Sequence, residues 1–310
     1  MVQLALVCGS GGFIGHHTAN YFVRKGWFVA GAGHRQSLPL IDFTKEFPYF
    51  VGDFSDYSFN QYLLDKVQPT HIIYLAAPAN VANSFVEPFN DFCKQTQPLF
   101  SILEASRKLT PPPKFLLVSS AAIYGNPSSL PISESAQPSP ISPYGFHKLQ
   151  QELIADEFFK IFDVPVCKVR IFSTFGEGLR KLAVWEITRR ALVNDFSVKG
   201  SGDESRDYLY VEDIANAMYT ICNNGDFKGE VVNLGSGYET SINSLVNLIY
   251  DSIGIQEEPQ FTGQETIGNP QKWCADVEYL KFLGFNQSIS LKVGLHQTVN
   301  WIKNNLSKVL

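Results

Sequence analysis

Tyr144 and Lys148 stand four residues apart in Tyr144-Gly145-Phe146-His147-Lys148. On a helix that spacing places both side chains on one face. Upstream, Ser119-Ser120-Ala121-Ala122-Ile123-Tyr124-Gly125 begins where an apolar run ends. A hydroxyl, a phenol and an ammonium brought together make a proton-transfer unit, with Ser120, Tyr144 and Lys148 as its members. A phenol titrates near pH 10 on its own and must be pulled down to act as acid or base near neutrality. A neighbouring ammonium favours phenolate and pulls in that direction. The serine hydroxyl can hydrogen-bond the reacting oxygen. Tyr-x-x-x-Lys by itself is also an ordinary surface pair on a helix, so its weight depends on its surroundings.

The surroundings begin at the first strand. Gly9, Gly12 and Gly15 space out G-x-x-G-x-x-G in Gly9-Ser10-Gly11-Gly12-Phe13-Ile14-Gly15, between an apolar run and a helix, with Phe13 and Ile14 in the loop as further cofactor contacts. The first glycine permits a tight turn, the second lets the backbone approach a pyrophosphate, and the third allows helix and strand to touch. The spacing therefore predicts dinucleotide binding. The second strand ends in Gly31-Ala32-Gly33-His34-Arg35, with no acidic residue for a ribose 2′-hydroxyl. Arg35 either meets a 2′-phosphate, which favours NADP(H) over NAD(H), or points to solvent. Asp53, followed by Phe54, either sits beside the adenine or makes a structural turn. A positively charged nicotinamide ring would lower the Tyr144 pKa further.

These residues need a scaffold, and the pattern of apolar runs supplies one. Strands are expected over 3–8, 27–30, 47–51, 72–76, 115–119 and 166–171, with helices over 16–25, 89–107 and 142–162. Strands alternating with helices predict an α/β fold, a Rossmann-type doubly wound parallel sheet. After about residue 173 helical stretches (185–192, 214–222, 242–253, 293–305) are separated by Gly-rich turns. They predict a smaller mixed α/β C-terminal substrate lobe. The division expected is residues 1–172 for the dinucleotide-binding domain and 173–310 for an interleaved substrate lobe.

Composition agrees with a globular enzyme and excludes several alternatives. Of 310 residues 45% are hydrophobic and 18% charged, so a core can form and disorder is not expected. A net charge of −5 offers no bulk attraction to nucleic acid. No apolar run approaches the ~20 residues of a membrane span, and the opening segment is too short for a signal h-region. Five cysteines without a C-x-x-C pair read as free thiols in a reducing compartment, so a cytoplasmic location is expected. No His/Cys/Asp cluster has metal-ligand spacing. His16 and His17 are expected to be exposed, and His147 to lie off the face that Tyr144 and Lys148 share.

The ordered set resembles the extended short-chain dehydrogenases/reductases, in the branch acting on sugar nucleotides. Matching segments run nearly end to end: the glycine loop, Gly52-Asp53, Leu75-Ala76-Ala77, Ser119 to Gly125, Tyr144 to Lys148, Arg170 to Gly178, Arg206 to Asp213 and Asn233 to Gly237. The resemblance implies Tyr144 as acid/base, Lys148 on the nicotinamide ribose, and Ser120 at the family's Ser/Thr position. It implies that Leu75, Ala76 and Ala77 line the cofactor, and that Arg206 grips the substrate diphosphate through its forked donors. Asp213 reads as a helix-capping position. A homodimer through the helices near residues 90–108 and 144–162 is implied by analogy.

The departures restrict the reaction. Ala121-Ala122 stand where sugar-nucleotide 4,6-dehydratases usually carry Asp-Glu, so water elimination is not expected. Gln95 stands where many epimerases have Asn, and Ser173 where the family has a diphosphate-contacting Asn. Thr266 and Asn269 replace the common Arg and Asp, leaving Arg180, Lys181 or Lys272 to supply a second cation. The leading expectation is an NAD(P)-dependent 4-epimerase of a nucleoside-diphosphate sugar. The alternative is an NADPH-dependent 4-keto-sugar-nucleotide reductase, and a third reading is a non-catalytic cofactor-sensing protein.

Overall fold

A computed structural model describes residues 3–34, 47–264 and 267–305. Arg35 and Thr266, each part of an expectation above, lie outside the described residues. Six strands come from the N-terminal part: β1 (Leu4–Cys8), β2 (Phe28–Gly33), β3 (Tyr49–Val51), β4 (His71–Tyr74), β5 (Lys114–Ser120) and β6 (Val166–Ile171). Six follow: β7 (Ser173–Phe175), β8 (Ser197–Val198), β9 (Ser205–Tyr210), β10 (Lys228–Leu234), β11 (Glu239–Ser241) and β12 (Gln260–Phe261). The helices are α1 (Phe13–Arg24), α2 (Tyr57–Val67), α3 (Val81–Val86), α4 (Pro88–Ser106), α5 (Pro143–Phe162), α6 (Leu182–Ala191), α7 (Val211–Asn224), α8 (Ile242–Ile253), α9 (Glu278–Phe282) and α10 (Leu291–Asn305).

Seven strands form one parallel sheet in the order β10-β6-β5-β4-β1-β2-β3. Parallel sheets need both faces covered. On one face Phe22, Trp27, Met218 and Ile221 join α1 and α7 to the sheet; on the other Leu63, Leu99, Ile102 and Phe158 seat α2, α4 and α5. Strand order reverses at β1, with β2 and β3 to one side and β4 to the other. The carboxyl ends of β1 and β4 therefore border the crevice where such folds bind ligands.

The chain beyond residue 173 divides its contribution. β7, β9 and β11 make a small sheet, β8 pairs with β12, and Phe175, Ile187, Tyr210, Leu245, Ile249 and Leu295 form a separate core. β10 and α7 return to the large sheet, as its outer strand and as a cover over α1. β10 was not legible as a strand because its first half, Lys228-Gly229-Glu230, is polar and partly exposed. Strands of two or three residues are too short to show a period.

Three local expectations are corrected. His16 is buried, and desolvation pushes its pKa down to about 4. His17 is half-buried, with Nε2 on the Glu177 carbonyl at 2.9 Å and Nδ1 on the Glu212 carboxylate at 3.1 Å. Helix α1 opens against α7 rather than solvent, which sequence periodicity could not show. Asp213 does not cap α7; Tyr210 occupies the N-cap. The buried Asp213 carboxylate instead accepts from the backbone N–H groups of Ser288 and Ile289, both at 2.9 Å, tying down the approach to α10. All five cysteines are unpaired. Among the described residues no helix is long and apolar enough to cross a membrane.

Candidate active site

The glycine loop turns sharply off β1. Gly9 has φ +88°, donates to the Ala32 carbonyl at 2.7 Å and accepts from Gly12 N–H at 2.8 Å. A Cβ on Gly15 would lie 2.2 Å from the Gly9 carbonyl oxygen, so only glycine lets α1 start this close to the loop. Gly12 is different. Its nearest obstacle is the same oxygen at 3.2 Å, and the space beside it is open. Gly12 is also the α1 N-cap and brings no capping side chain. The first-turn N–H groups, those of Phe13 and Ile14 among them, thus face an uncapped and electropositive helix end. This is a cradle for an anion such as a pyrophosphate.

Leu75-Ala76-Ala77 continues from β4 beside the loop. Leu75 N–H donates to the Cys8 carbonyl at 2.9 Å, and a Cβ on Gly9 would touch Ala76 N at 2.9 Å. The two segments form one wall, half-buried and open on its outer side. Asp53 is exposed and accepts from Ser55 N–H at 2.9 Å, while Phe54 after it is buried. The end of β2 presents no carboxylate from Gly31 to His34. A Cβ on Gly33 would lie 2.7 Å from the Tyr49 hydroxyl, the end of a side chain on the neighbouring strand. Taken together, the loop, the bare helix end and the Leu75–Ala77 wall fit a dinucleotide.

The predicted proton-transfer residues come together at the carboxyl end of β5. Ser142 caps α5 by accepting from Gly145 N–H at 3.1 Å, with Pro143 in the first turn. Gly145 lets the helix press against the turn after β5, since a Cβ there would sit 2.6 Å from the Ala122 carbonyl oxygen. Ser84 Oγ accepts from Tyr144 N–H at 3.1 Å. Held this way, the Tyr144 phenol lies beside Ser120, whose Oγ accepts from Ala122 N–H at 3.2 Å. Lys148 Nζ lies 5.9 Å from the Tyr144 ring centroid and donates to the Val118 carbonyl at 3.2 Å and to Gln151 Oε1 at 3.0 Å.

Burial dominates the electrostatics here. It pushes the Tyr144 phenol up to about 12, against the downward pull of the Ser120 hydroxyl, with Asp91 adding to the rise. It pulls the Lys148 ammonium down to about 8, against the upward effect of Asp91 and Glu152. The pair is thus poised with a protonated phenol and a lysine close to release. A positive charge arriving nearby favours phenolate.

The substrate-side candidates face this cluster less uniformly. Ser173 is half-buried at the start of β7. Arg206 on β9 donates from Nη1 to the Ser205 carbonyl at 2.7 Å and lies 5.6 Å from the Trp273 ring centroid. Among the described residues nothing accepts from its Nε or Nη2. Lys181 donates to the Ala79 carbonyl at 2.6 Å, bridging the start of α6 to the loop before α3. Arg180 is half-buried and has no hydrogen-bond partner among the described residues.

The sequence reading missed one pair beside Tyr144. His147 is buried and donates from Nδ1 to Asp91 Oδ2 at 2.6 Å. Nearby, Gln151 donates to the Gln95 carbonyl, and Gln95 Nε2 to the Pro78 carbonyl at 2.8 Å. The His147–Asp91 and Gln151–Gln95 contacts join α4 to α5 across more than 50 residues of sequence, so no local spacing could reveal them. The one available signal was an aspartate in the first turn of a mainly apolar helix.

Known proteins share this fold. The profile of the GDP-mannose 4,6-dehydratase family matches residues 6–281. The crystal structure of UDP-glucose 4-epimerase from Thermotoga maritima, solved with UDP-glucose, superimposes with a TM-score of 0.90 at 28% identity, covering 98% of this chain and 100% of that one. A Mycolicibacterium smegmatis UDP-glucose 4-epimerase is 25% identical over 96% of this chain and 98% of its own. The Thermus thermophilus UDP-glucose 4-epimerase complex with NAD shares the fold, with a TM-score of 0.89 at 22% identity over 97% and 99% of the two chains. With the family profile spanning most of the chain, the protein belongs to the GDP-mannose 4,6-dehydratase family, within the extended short-chain dehydrogenases/reductases of sugar nucleotides.

Proposed function

We propose that the protein is an NAD(P)-dependent sugar-nucleotide 4-epimerase that works by transient oxidation at C4. The observation that carries this reading is the gathering of Ser120, Tyr144 and Lys148 at the end of β5, in a fold that also presents an uncapped glycine-loop helix. The names of the relatives support a UDP-sugar substrate. Ala121 and Ala122 are buried and apolar, so the turn after β5 lacks the acid pair that water elimination uses.

In this reading Gly9, Gly12, Phe13, Ile14, Gly15 and Leu75–Ala77 hold the dinucleotide, with Asp53, Phe54 and Arg35 toward its adenosine end. When bound, the nicotinamide ring supplies a reversible acceptor for the C4 hydride. Tyr144 takes the proton of the 4-hydroxyl and returns it after the sugar has turned. Ser120 hydrogen-bonds the oxygen that becomes the ketone. Lys148 contacts the ribose and favours the phenolate form of Tyr144. Arg206 binds the diphosphate, with Ser173, Arg180 and Lys181 nearby in the lobe. Phe92, Phe100 and Leu153 are exposed along a groove of about 440 Å³ on α4 and α5. This face supports a homodimer.

One observation favours the reductase reading: β2 ends without a carboxylate, which suits NADP(H) better than NAD(H). The test separates the two by stoichiometry. Purified protein is incubated with UDP-glucose, UDP-N-acetylglucosamine or UDP-glucuronate without added reductant, and the C4 epimer is followed by NMR. Epimer formation that falls about 10²- to 10⁴-fold in Tyr144→Phe supports the epimerase. One NADPH oxidised per 4-keto sugar reduced would replace it by the reductase. Cofactor binding with neither turnover would leave the non-catalytic reading.

A further inference from the structure

We infer that Asp91, clamped by His147, is a positioning residue for the Tyr144–Lys148 pair: its carboxylate is the buried negative charge against which Lys148 keeps its proton. The inference rests on the roles proposed above for Tyr144 and Lys148.

The geometry comes first. Asp91 is 5% exposed and His147 9%, and Nδ1 meets Oδ2 at 2.6 Å. A carboxylate only accepts, so Nδ1 carries the hydrogen. Asp91 lies in the first turn of α4, where the helix end favours an anion. The Phe92 ring packs edge-on against His147 at 5.7 Å. The clamp is therefore fixed from three sides: helix end, imidazole and aromatic ring.

The charge balance comes next. Lys148 donates to a backbone carbonyl and to a glutamine oxygen, both neutral. The other buried carboxylate on α5, Glu152, is already matched, receiving Arg170 Nε at 3.0 Å and Nη2 at 2.8 Å. Asp91 meets His147, which stands next to Lys148 and three residues after Tyr144 on α5, so its carboxylate lies against the stretch of helix that carries both; His147 is its one ion-pair contact among the described residues. The titratable groups beside the Asp91–His147 clamp on α5 are Tyr144 and Lys148, and Glu152 bears on Lys148 from the same helix while paired with Arg170. Helix α3 contributes none, and Glu87 and Lys94 flanking Asp91 in sequence are exposed. A negative charge in this position raises the pKa of both its neighbours. It keeps Lys148 cationic against burial and makes Tyr144 hold its proton until a positive charge arrives.

The test uses the holoenzyme with Asp91→Asn, which keeps the shape and one acceptor for His147 but removes the charge. Two quantities are read. One is the pH profile of kcat for the epimerisation. The other is the phenolate absorbance titration of Tyr144, obtained as the difference from Tyr144→Phe. Both limbs of the profile, and the phenolate midpoint, are expected to move to lower pH by about one unit, with KM little changed. Asp91→Glu should bring them back toward the wild-type positions. Limbs that stay in place while kcat falls would mean a packing role and overturn the inference, as would a shift to higher pH. If Asp91→Asn does not fold, the apolar pair Asp91→Leu with His147→Leu leaves no orphaned partner and reads the same shift. If no sugar nucleotide is turned over, the phenolate midpoint decides alone. Its movement would sustain the role of Asp91 while the proposed reaction fails, and its constancy would overturn the role.

Discussion

The two walls of the cleft are built differently. On the sheet side every residue assigned to chemistry is fixed by backbone around it. Gly15 is locked against the Gly9 carbonyl, the Tyr144 backbone is tied to Ser84 Oγ, and Lys148 is tied to the Val118 carbonyl. On the lobe side Arg206 leans on carbonyls and a tryptophan face with much of its fork free, and Lys181 holds a single carbonyl at the surface. The difference teaches where each property resides. Proton and hydride transfer need positions accurate to fractions of an ångström, and backbone packing provides them. If the lobe binds the sugar nucleotide as proposed, adjustable side chains suffice there, because binding tolerates small displacements that proton transfer does not.

The largest break in that comparison should come from the sheet side. Gly15→Val drives a branched side chain into the Gly9 carbonyl, which a Cβ already meets at 2.2 Å. We expect a loss of about 4 kcal/mol or more, read as little folded protein or a sharply lowered Tm. Gly12→Ala is the control, because its Cβ meets only one oxygen at 3.2 Å. That variant should keep its melting temperature and bind NAD(P) weakly. Equal destabilisation by both would mean that the loop, rather than the phosphate cradle, sets the need for glycine at position 12.

How much of this was legible in sequence follows the same division. The strands of the sheet and the long helices were readable because burial on both faces makes continuous apolar runs; 166–171 and 242–253 match their elements end to end. The placing of Gly9, Gly12 and Gly15 in one loop and of Tyr144 and Lys148 on one helix was readable because it depends on spacing along one turn or one helix. Asp91–His147 was hidden because it is a contact between helices. His16 and His17 were misread because the cover over α1 is α7, nearly 200 residues later. β10 was hidden because its polar first half breaks the apolar run expected of a strand.

A smaller but still large effect should mark the hub of the lobe side. Asp207 is fully buried and its carboxylate accepts from Ser236 N–H at 2.6 Å, Ser236 Oγ at 2.7 Å, Gly237 N–H at 2.9 Å and Ala275 N–H at 3.0 Å. Asp207→Ala leaves four donors without an acceptor and should cost about 3 kcal/mol. If the two walls are as separate as their cores suggest, Tm falls and KM for the sugar nucleotide rises while dinucleotide affinity holds. Loss of dinucleotide affinity in parallel would show the walls to be one mechanical unit.

The smallest effect tests whether the free fork of Arg206 is a binding group. Its Nη1 is committed to the Ser205 carbonyl; burial lowers its pKa, but a guanidinium keeps its proton in proteins, so the side chain is a cation beside Trp273. Hydrogen bonds to a charged partner are worth about 2 kcal/mol. Arg206→Ala should therefore raise KM for the nucleoside-diphosphate sugar roughly 30-fold while kcat changes little. Arg206→Lys should recover only part of this, because an ammonium cannot make the two parallel bonds that a guanidinium offers a diphosphate. Should kcat fall with KM unchanged instead, Arg206 would belong with the fixed residues of the sheet side, and the contrast between the two walls would fail at the residue on which it most depends.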